Sequence, residues 1–312
     1  LVRNPDLACT LAEIAEHGPD AFYKGRIAQA IDADFRRNGG FLSAEDLAGY
    51  RIEIEEPVWG EYRGHRVAVC PPPNSGAAVL RMLHTLEHFD LKALGHNAPD
   101  YIRVLAEAMK RAQALKDEAM TDPRLAPTPL ASIIGKKEAA ADAAAIRRGE
   151  RAHVNRALAK EAADTTHLCA RDRDGLAVSL THTNGAQSGV VSPGLGFLYN
   201  GQLGTYDPRP GRTQSLAPHK RRVSSMTPTI VFKGDKPFLI LGAPGGSNIP
   251  MAIAQVIVNV IDHGMTIGDA IAAQRISATS DVIDVGARIP TYTCEALAAM
   301  GYKTARSVQS FT

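Results

Sequence analysis

Apolar residues recur at helical spacing along the first third of the chain. Leu7, Leu11, Ile14 and Ala15 follow Asn4-Pro5-Asp6 and stop at His17-Gly18, which predicts a first helix. Phe22, Ile27, Ile31 and Phe35 carry the same period from Pro19 to Asn38, with Gly39-Gly40 as the C-terminal stop. Ser43, with an acidic residue three positions on, caps a short helix. The pattern then changes. Tyr50–Ile54 and Val58–Cys70 read as strands, interrupted at Gly60 and around Arg63-Gly64. A stiff loop, Pro71-Pro72-Pro73-Asn74-Ser75-Gly76, enters a helix over 77–88, and a longer amphipathic helix follows over 101–120. Residues 130–163 are rich in Ala, Lys and Arg, which suits helix in part and an exposed or mobile segment equally.

From Thr165 the signals become β. Thr166–Arg171 and Leu176–Thr183 flank Asp172-Arg173-Asp174-Gly175, a hairpin turn. Thr227–Phe232 and Pro237–Leu241 flank a second turn at Lys233-Gly234-Asp235-Lys236. Gly242-Ala243-Pro244-Gly245-Gly246-Ser247-Asn248 then leads into a helix over 249–263. A short helix over 266–275, a strand near 282–285 and a helix over 290–300 complete the reading. Hairpins bracketed by amphipathic helices predict an α+β architecture, an antiparallel sheet layered with helices. No internal repeat, zinc spacing, phosphate loop or dinucleotide fingerprint is present.

Composition narrows the class without naming it. The 312 residues carry a formal net charge of +2, so no electrostatic argument for nucleic acid arises. The apolar runs are too short to span a bilayer. Cys9, Cys70, Cys169 and Cys294 lie far apart, form no CxxC pair and read as packed thiols. No signal peptide is visible, but the chain begins with Leu1, and a processed N-terminus hides one. A cytoplasmic and a periplasmic location therefore both stay open.

Three stretches can carry chemistry. Asp164-Thr165-Thr166-His167 places a Thr pair at the start of a strand, where threonine is ordinary as a β-branched residue. A chain cut just before a Thr gives that hydroxyl its own base, a free α-amine with a reference pKa of about 8. Gly242 to Ser247, between a strand and a helix, can turn backbone N–H groups towards one point, or be only a tight turn. The paired hydroxyls of Ser224-Ser225, before a strand, can hold a carboxylate or bond to their own backbone.

Together these stretches resemble the γ-glutamyltransferase family of N-terminal nucleophile (Ntn) hydrolases. Ala21-Phe22-Tyr23-Lys24-Gly25, Asn38-Gly39-Gly40 and Glu45-Asp46-Leu47-Ala48-Gly49-Tyr50 look like that family's helical region. Thr165-Thr166-His167, Asp174-Gly175, Gly194 to Asn200, Ser224 to Thr229 and Gly242 to Ser247 follow in its order and approximate spacing. The resemblance implies an αββα sandwich, two antiparallel sheets between helical layers. It implies autocleavage between Asp164 and Thr165, leaving a large-subunit part (1–164) and a small-subunit part (165–312) as one intertwined domain. Thr165 is then the nucleophile and Thr183 the second threonine bonded to it. Gly245 and Gly246 are the oxyanion pair, Ser224 and Ser225 the carboxylate-binding hydroxyls, and Asn200 and Gln202 the amide-bearing segment beside the site. Thr166 serves orientation and packing, and His167 is structural rather than the base. The implied reaction takes a small-molecule amide through an acyl-enzyme, with no metal and no cofactor, no membrane and no nucleic acid; a homo-oligomer stays open.

The sequence also departs from the family pattern. The loop Asn184 to Gly189 is short, and the place of the family's amine-binding aspartate falls at Gly204 or Thr205, with Asp207 as a displaced substitute. An unpaired ammonium in a partly buried pocket costs on the order of 2–7 kcal/mol, so these departures count against recognition of a γ-glutamyl group with a free α-amine and favour hydrolysis of a small amide carrying a carboxylate over efficient transpeptidation. The region that in the family precedes this segment, with its carboxylate-pairing arginine, has no counterpart here, and the family's last strands are not found. Three readings follow: a γ-glutamyl hydrolase or transferase, an amidohydrolase or acylase with another acyl group, and an unprocessed non-catalytic homologue or fragment acting as a partner or scaffold.

Overall fold

The helical period at the N-terminus is realised as four helices in the computed structural model, which describes residues 3–154 and 164–307. The described residues up to Glu55 join Asn184–Gln202 in one unit. Its α1 (Pro5–His17) begins at Asn4, whose side chain accepts from Leu7 N. The continuous helix expected over 19–38 is divided into α2 (Pro19–Tyr23) and α3 (Arg26–Asn38). At Gly25 the chain turns so tightly that an added Cβ would lie 2.8 Å from Ala21 O. A Ser43–Asp46 capping box starts α4 (Ala44–Gly49). Ile27, Ala28, Ile31, Leu47 and Leu195 form the core of this unit. The strand expected at Tyr50–Ile54 does not form. Among the described residues it pairs with no neighbour, and Ile52 and Ile54 are 78% and 91% exposed, so it has neither a partner strand nor a layer to cover it.

The second unit takes up the rest of the described chain. It opens with β1 (Val58–Tyr62), β2 (His65–Val69), α5 (Gly76–Leu86), α6 (Leu91–Leu94), α7 (Pro99–Ala119), α8 (Leu130–Ile133) and α9 (Lys136–Arg147). The hairpin β3 (Thr165–Arg171) and β4 (Ala177–Thr183) follows. A second hairpin, β5 (Thr229–Lys233) and β6 (Lys236–Leu241), leads into α10 (Asn248–Ile261) and α11 (Ile267–Ala272). The described chain ends through β7 (Ile276–Ser277), β8 (Val282–Gly286), α12 (Thr291–Ala299) and β9 (Lys303–Ser307). Part of the expectation for 130–163, residues 155–163, lies outside the described residues.

The four-stranded sheet has the order β1-β2-β5-β6 and is antiparallel throughout. Gly60 does not interrupt β1 as expected. A Cβ there would meet Leu80 Cδ2 at 2.5 Å, so the missing side chain lets α5 close onto the sheet. Every residue of α5 is buried, and its polar side chains are paired there: Arg81 with Asp142, His84 with Ile134 O and Thr85 with Arg81 O. Val67, Leu80, Leu83, Leu105, Val231, Ile253 and Ile257 make one core between sheet and helices, where each large aliphatic side chain is worth roughly 1.5–3 kcal/mol. The architecture is the expected α+β class, with antiparallel sheets layered by helices. The third sheet, β7-β8-β9, adds a parallel pair, β8 with β9, that was not expected. The elements α6, β7 and β9 also went unread, being too short or too polar to show a period. No described helix is long and apolar enough to cross a membrane.

Candidate active site

The sheet register sets where the chemistry gathers. Val69 lies opposite Thr229, and Thr229 opposite Leu241, so the end of β2, the start of β5 and the end of β6 share one end of the sheet. The segments that leave there are bonded together: Ser224 N donates to Pro73 O at 2.9 Å, and Ser75 Oγ donates to Ser224 O at 2.7 Å. Beyond β6, Gly245 and Gly246 have φ of 118° and 57°, a region open to glycine and costly for other residues. The first turn of α10 starts from their carbonyls, with Asn248 N on Gly245 O and Ile249 N on Gly246 O, both at 3.1 Å. A helix start that follows two such glycines directs backbone N–H groups outward, which suits a developing oxyanion.

The β3–β4 hairpin packs beside the end of β6. Thr165 lies directly opposite Thr183, and Thr165 Oγ1 donates to Thr183 Oγ1 at 2.9 Å. Two residues on, the His167 ring lies 2.8 Å from Thr181 Oγ1 through Nδ1 and 3.1 Å from Cys169 Sγ through Nε2. Cys169 Sγ donates to Ile240 O at 3.2 Å, and Ser179 Oγ to Leu241 O at 2.8 Å. A Cβ on Gly242 would lie 2.1 Å from His167 Nδ1. Passing from Cys169 to His167, the facing chain advances from Ile240 to Gly242, and the same progression carries Thr165 towards Pro244-Gly245. Burial lowers the pKa of His167 and raises that of the Cys169 thiol, so the two meet as neutral groups at neutral pH. Both act as packing that fastens β3 to β6; a thiol held protonated is a poor nucleophile.

Behind Ser224-Ser225 the chain is anchored through Asp122, whose side chain is fully buried. Arg221 N donates to its Oδ2 at 2.7 Å, and the Arg124 guanidinium bonds both carboxylate oxygens. Hydrogen bonds from Arg124 and Arg221 override the effect of burial and hold the Asp122 carboxyl well below the usual carboxylate range. The stabilisation is therefore present above the ordinary carboxylate pKa and is lost only as pH falls towards the lowered value. Asp122→Asn is expected to cost about 2 kcal/mol at neutral pH, read as a fall in the urea midpoint. An unchanged midpoint would show that the 221–225 segment does not depend on this carboxylate.

Two cations stand near the hydroxyl pair. Lys116, buried on α7, donates from Nζ to Ser225 Oγ at 2.9 Å, and Arg222 Nη1 donates to Val223 O at 3.2 Å. Neither was singled out from sequence, although Lys116 continues the buried stripe Leu105, Met109, Ala112, and a lysine in such a stripe is a usable signal. Asn200 and Gln202 belong to the first unit, where Asn200 Oδ1 accepts from Gln202 N at 3.1 Å. Asp207 does not stand free to meet an ammonium. Arg209 bonds both its oxygens, at 2.9 and 2.7 Å, and holds its carboxyl down to about 2.

Known proteins carry the same arrangement of elements. A crystal structure of cephalosporin acylase from Bacillus halodurans superposes with a TM-score of 0.85 at 29% identity, over 98% of this chain and 56% of that one. Acylase ACY 1 proenzyme of Pseudomonas sp. (strain SE83) is 39% identical over 306 residues, 97% of this chain and 55% of the relative. Glutathione hydrolase proenzyme of Escherichia coli (strain K12) is 36% identical over 288 residues, 86% of this chain and 50% of the relative. The chain thus spans about half the length of the curated relatives it matches. The fold is that of the αββα Ntn hydrolases. A profile described as gamma-glutamyltranspeptidase matches residues 1–312, and the chain belongs to that family.

Proposed function

We propose that this chain is the catalytic part of a self-processing amide hydrolase whose nucleophile is Thr165. The observation that supports the reading is the 2.9 Å hydrogen bond between Thr165 Oγ1 and Thr183 Oγ1, on a hairpin whose Cys169 and Ser179 donate to the Ile240 and Leu241 carbonyls just before the Gly245-Gly246 turn. In maturation Thr165 Oγ1 attacks the Asp164 carbonyl carbon. The C–N bond breaks, its nitrogen takes the hydroxyl proton, and water hydrolyses the resulting ester. The products are one intertwined domain in two parts, 1–164 and 165–312.

In turnover the freed α-amine takes the Thr165 hydroxyl proton while Oγ1 adds to the substrate carbonyl. Thr183 orients the hydroxyl, and amides of the Gly245-Gly246 turn stabilise the oxyanion. Collapse forms an acyl-threonine, and the α-amine passes the proton to the leaving amine. Water, or a competing amine, then releases the acyl group. Ser224 and Ser225 hold a carboxylate on that acyl group.

A second reading concerns the acyl group. With Asp207 engaged by Arg209 and the 184–189 loop short, an acyl group without an α-amine is favoured over γ-glutamyl, in keeping with the acylase names among the relatives. Intact-mass spectrometry with N-terminal sequencing tests the processing, and the expected result is a fragment beginning Thr165-Thr166-His167. A single uncut chain after maturation sinks the mechanism and leaves a scaffold. Glutaryl-p-nitroanilide, which is the γ-glutamyl compound without its amine, is expected to turn over about tenfold faster than γ-glutamyl-p-nitroanilide. The reverse order restores the γ-glutamyl reading.

A further inference from the structure

Hydrophobic burial fixes how deep a helix lies, but not where it stands along its own axis. Burial has no direction, and sliding a helix by about 1 Å changes it little. In α10 every residue from Ile249 to Asn259 is buried. Its axial position therefore depends on its directional bonds. That position bears on the site, because the first amides of α10 bond to the carbonyls of Gly245 and Gly246.

The bonds come from one face of the helix, where Asn248, Gln255 and Asn259 fall at intervals of seven and four residues. At the far end Asn259 Oδ1 accepts from His96 Nε2 at 3.1 Å, and its Nδ2 donates to Ala270 O at 3.3 Å. In the middle Gln255 pairs with the backbone of Ile276 as a neighbouring strand would. Its Oε1 accepts from Ile276 N and its Nε2 donates to Ile276 O, both at 2.9 Å. The next residue of β7 then reaches the first turn: Ser277 Oγ donates to Asn248 Oδ1 at 2.6 Å. An amide oxygen only accepts, so the direction of this bond is fixed by chemistry. Asn248 N in turn donates to Gly245 O at 3.1 Å. One residue thus joins β7 to the glycine turn, by its side chain on one side and its backbone on the other. Ser277 is 1% exposed, and β8 holds its strand from the other edge, with Asp284 opposite.

We propose that Ser277 is a positioning residue for the Gly245-Gly246 turn. Through Asn248 it sets where the amides of that turn stand, and Gln255 sets where Ser277 stands. Ser277 acts through Asn248 and not on the substrate. The proposal rests on the reading of the turn as the oxyanion site and of Thr165 as the nucleophile.

The test compares Ser277→Ala, Ser277→Thr and Thr85→Val in the full chain. Thr85→Val removes another buried hydroxyl, the one that bonds Arg81 O on α5. Two quantities are read: hydrogen exchange at the amides of 245–249, and kcat and KM on whichever of glutaryl- and γ-glutamyl-p-nitroanilide turns over faster. Ser277→Ala is expected to raise exchange at Asn248 and Ile249 about tenfold. It is also expected to lower kcat about tenfold with KM unchanged, because a displaced oxyanion turn loses transition-state stabilisation and not ground-state binding. Ser277→Thr keeps the hydroxyl and restores both. Thr85→Val changes neither. Unchanged exchange in Ser277→Ala overturns the proposal. So does raised exchange with kcat unchanged, or an equal loss of kcat in Thr85→Val, since either result makes Ser277 merely structural. An unmutated chain that neither cuts nor turns over counts against the Thr165 reading alone, and the exchange comparison still decides whether Ser277 holds the turn.

Discussion

Thr165→Ala is expected to yield one uncut chain with amide turnover reduced at least about 10,000-fold. The size follows from the double duty of a single oxygen. In the proposed mechanism the hydroxyl that opens the Asp164–Thr165 bond is also the group that carries the acyl intermediate, so its loss removes maturation and turnover together. Thr165→Ser keeps the oxygen and is expected to cut and turn over, but more slowly. A serine lacks the γ-methyl that restricts χ1 and keeps Oγ1 facing Thr183 at 2.9 Å. Thr183→Ala keeps the nucleophile and removes its partner; a loss of about a hundredfold in kcat is expected, with KM little changed. Denaturing mass spectra of the three variants, followed by initial rates, decide the matter. A Thr165→Ala chain that still cuts before residue 165, or still hydrolyses substrate, assigns the chemistry to another group.

The pattern of the sequence carried the hairpins and the long helices because each repeats its period long enough to be read. The β3–β4 turn at Asp172-Arg173-Asp174-Gly175 and the apolar run of α10 are local signals with local causes. Tyr50–Ile54 has the same alternating look and forms no strand, because pairing depends on a neighbour that alternation does not supply. Gly60 looked like a break and is a contact, since the reason for its missing side chain is Leu80, twenty positions on and in another element.

The site divides in the same way. Thr165, Ser224-Ser225 and Gly245-Gly246 stand in short motifs whose residue types already suggest attack, donation and a free backbone amide. Lys116 and Asp122 stand in no motif. They act on the 221–225 segment across about a hundred positions of chain, at separations of 109 and 99 residues. What brings them to that segment is the packing of α7 against it, and spacing along the chain does not encode it. Asp207 shows the converse: sequence proximity made it a candidate for an ammonium, and the arginine two residues away occupies it.

Gly242→Ala is expected to be strongly damaging to turnover. The added Cβ would lie 2.1 Å from His167 Nδ1, 2.2 Å from Cε1 and 2.6 Å from Cγ, all far inside contact distance. The collision is with the body of the ring, and the ring is held between Thr181 Oγ1 and Cys169 Sγ. Relief therefore moves either β3 or the start of the 242–247 turn. Overpacking of this kind costs about 1–3 kcal/mol, and the effect on turnover is larger than the effect on stability. The two elements that separate are the one bearing Thr165 and the one bearing Gly245-Gly246, and a misplacement of about 1 Å between reacting groups costs on the order of 100-fold. His167→Ala alone is expected to be mild, because it removes packing without pushing the strands apart. The double variant is the decisive measurement. If the methyl acts through the ring, Gly242→Ala with His167→Ala turns over at least about tenfold faster than Gly242→Ala alone, a coupling between neighbours that independent sites do not show. Additive losses in the double variant would mean that Gly242 is needed for its own backbone and that His167 does not set the spacing between nucleophile and oxyanion turn.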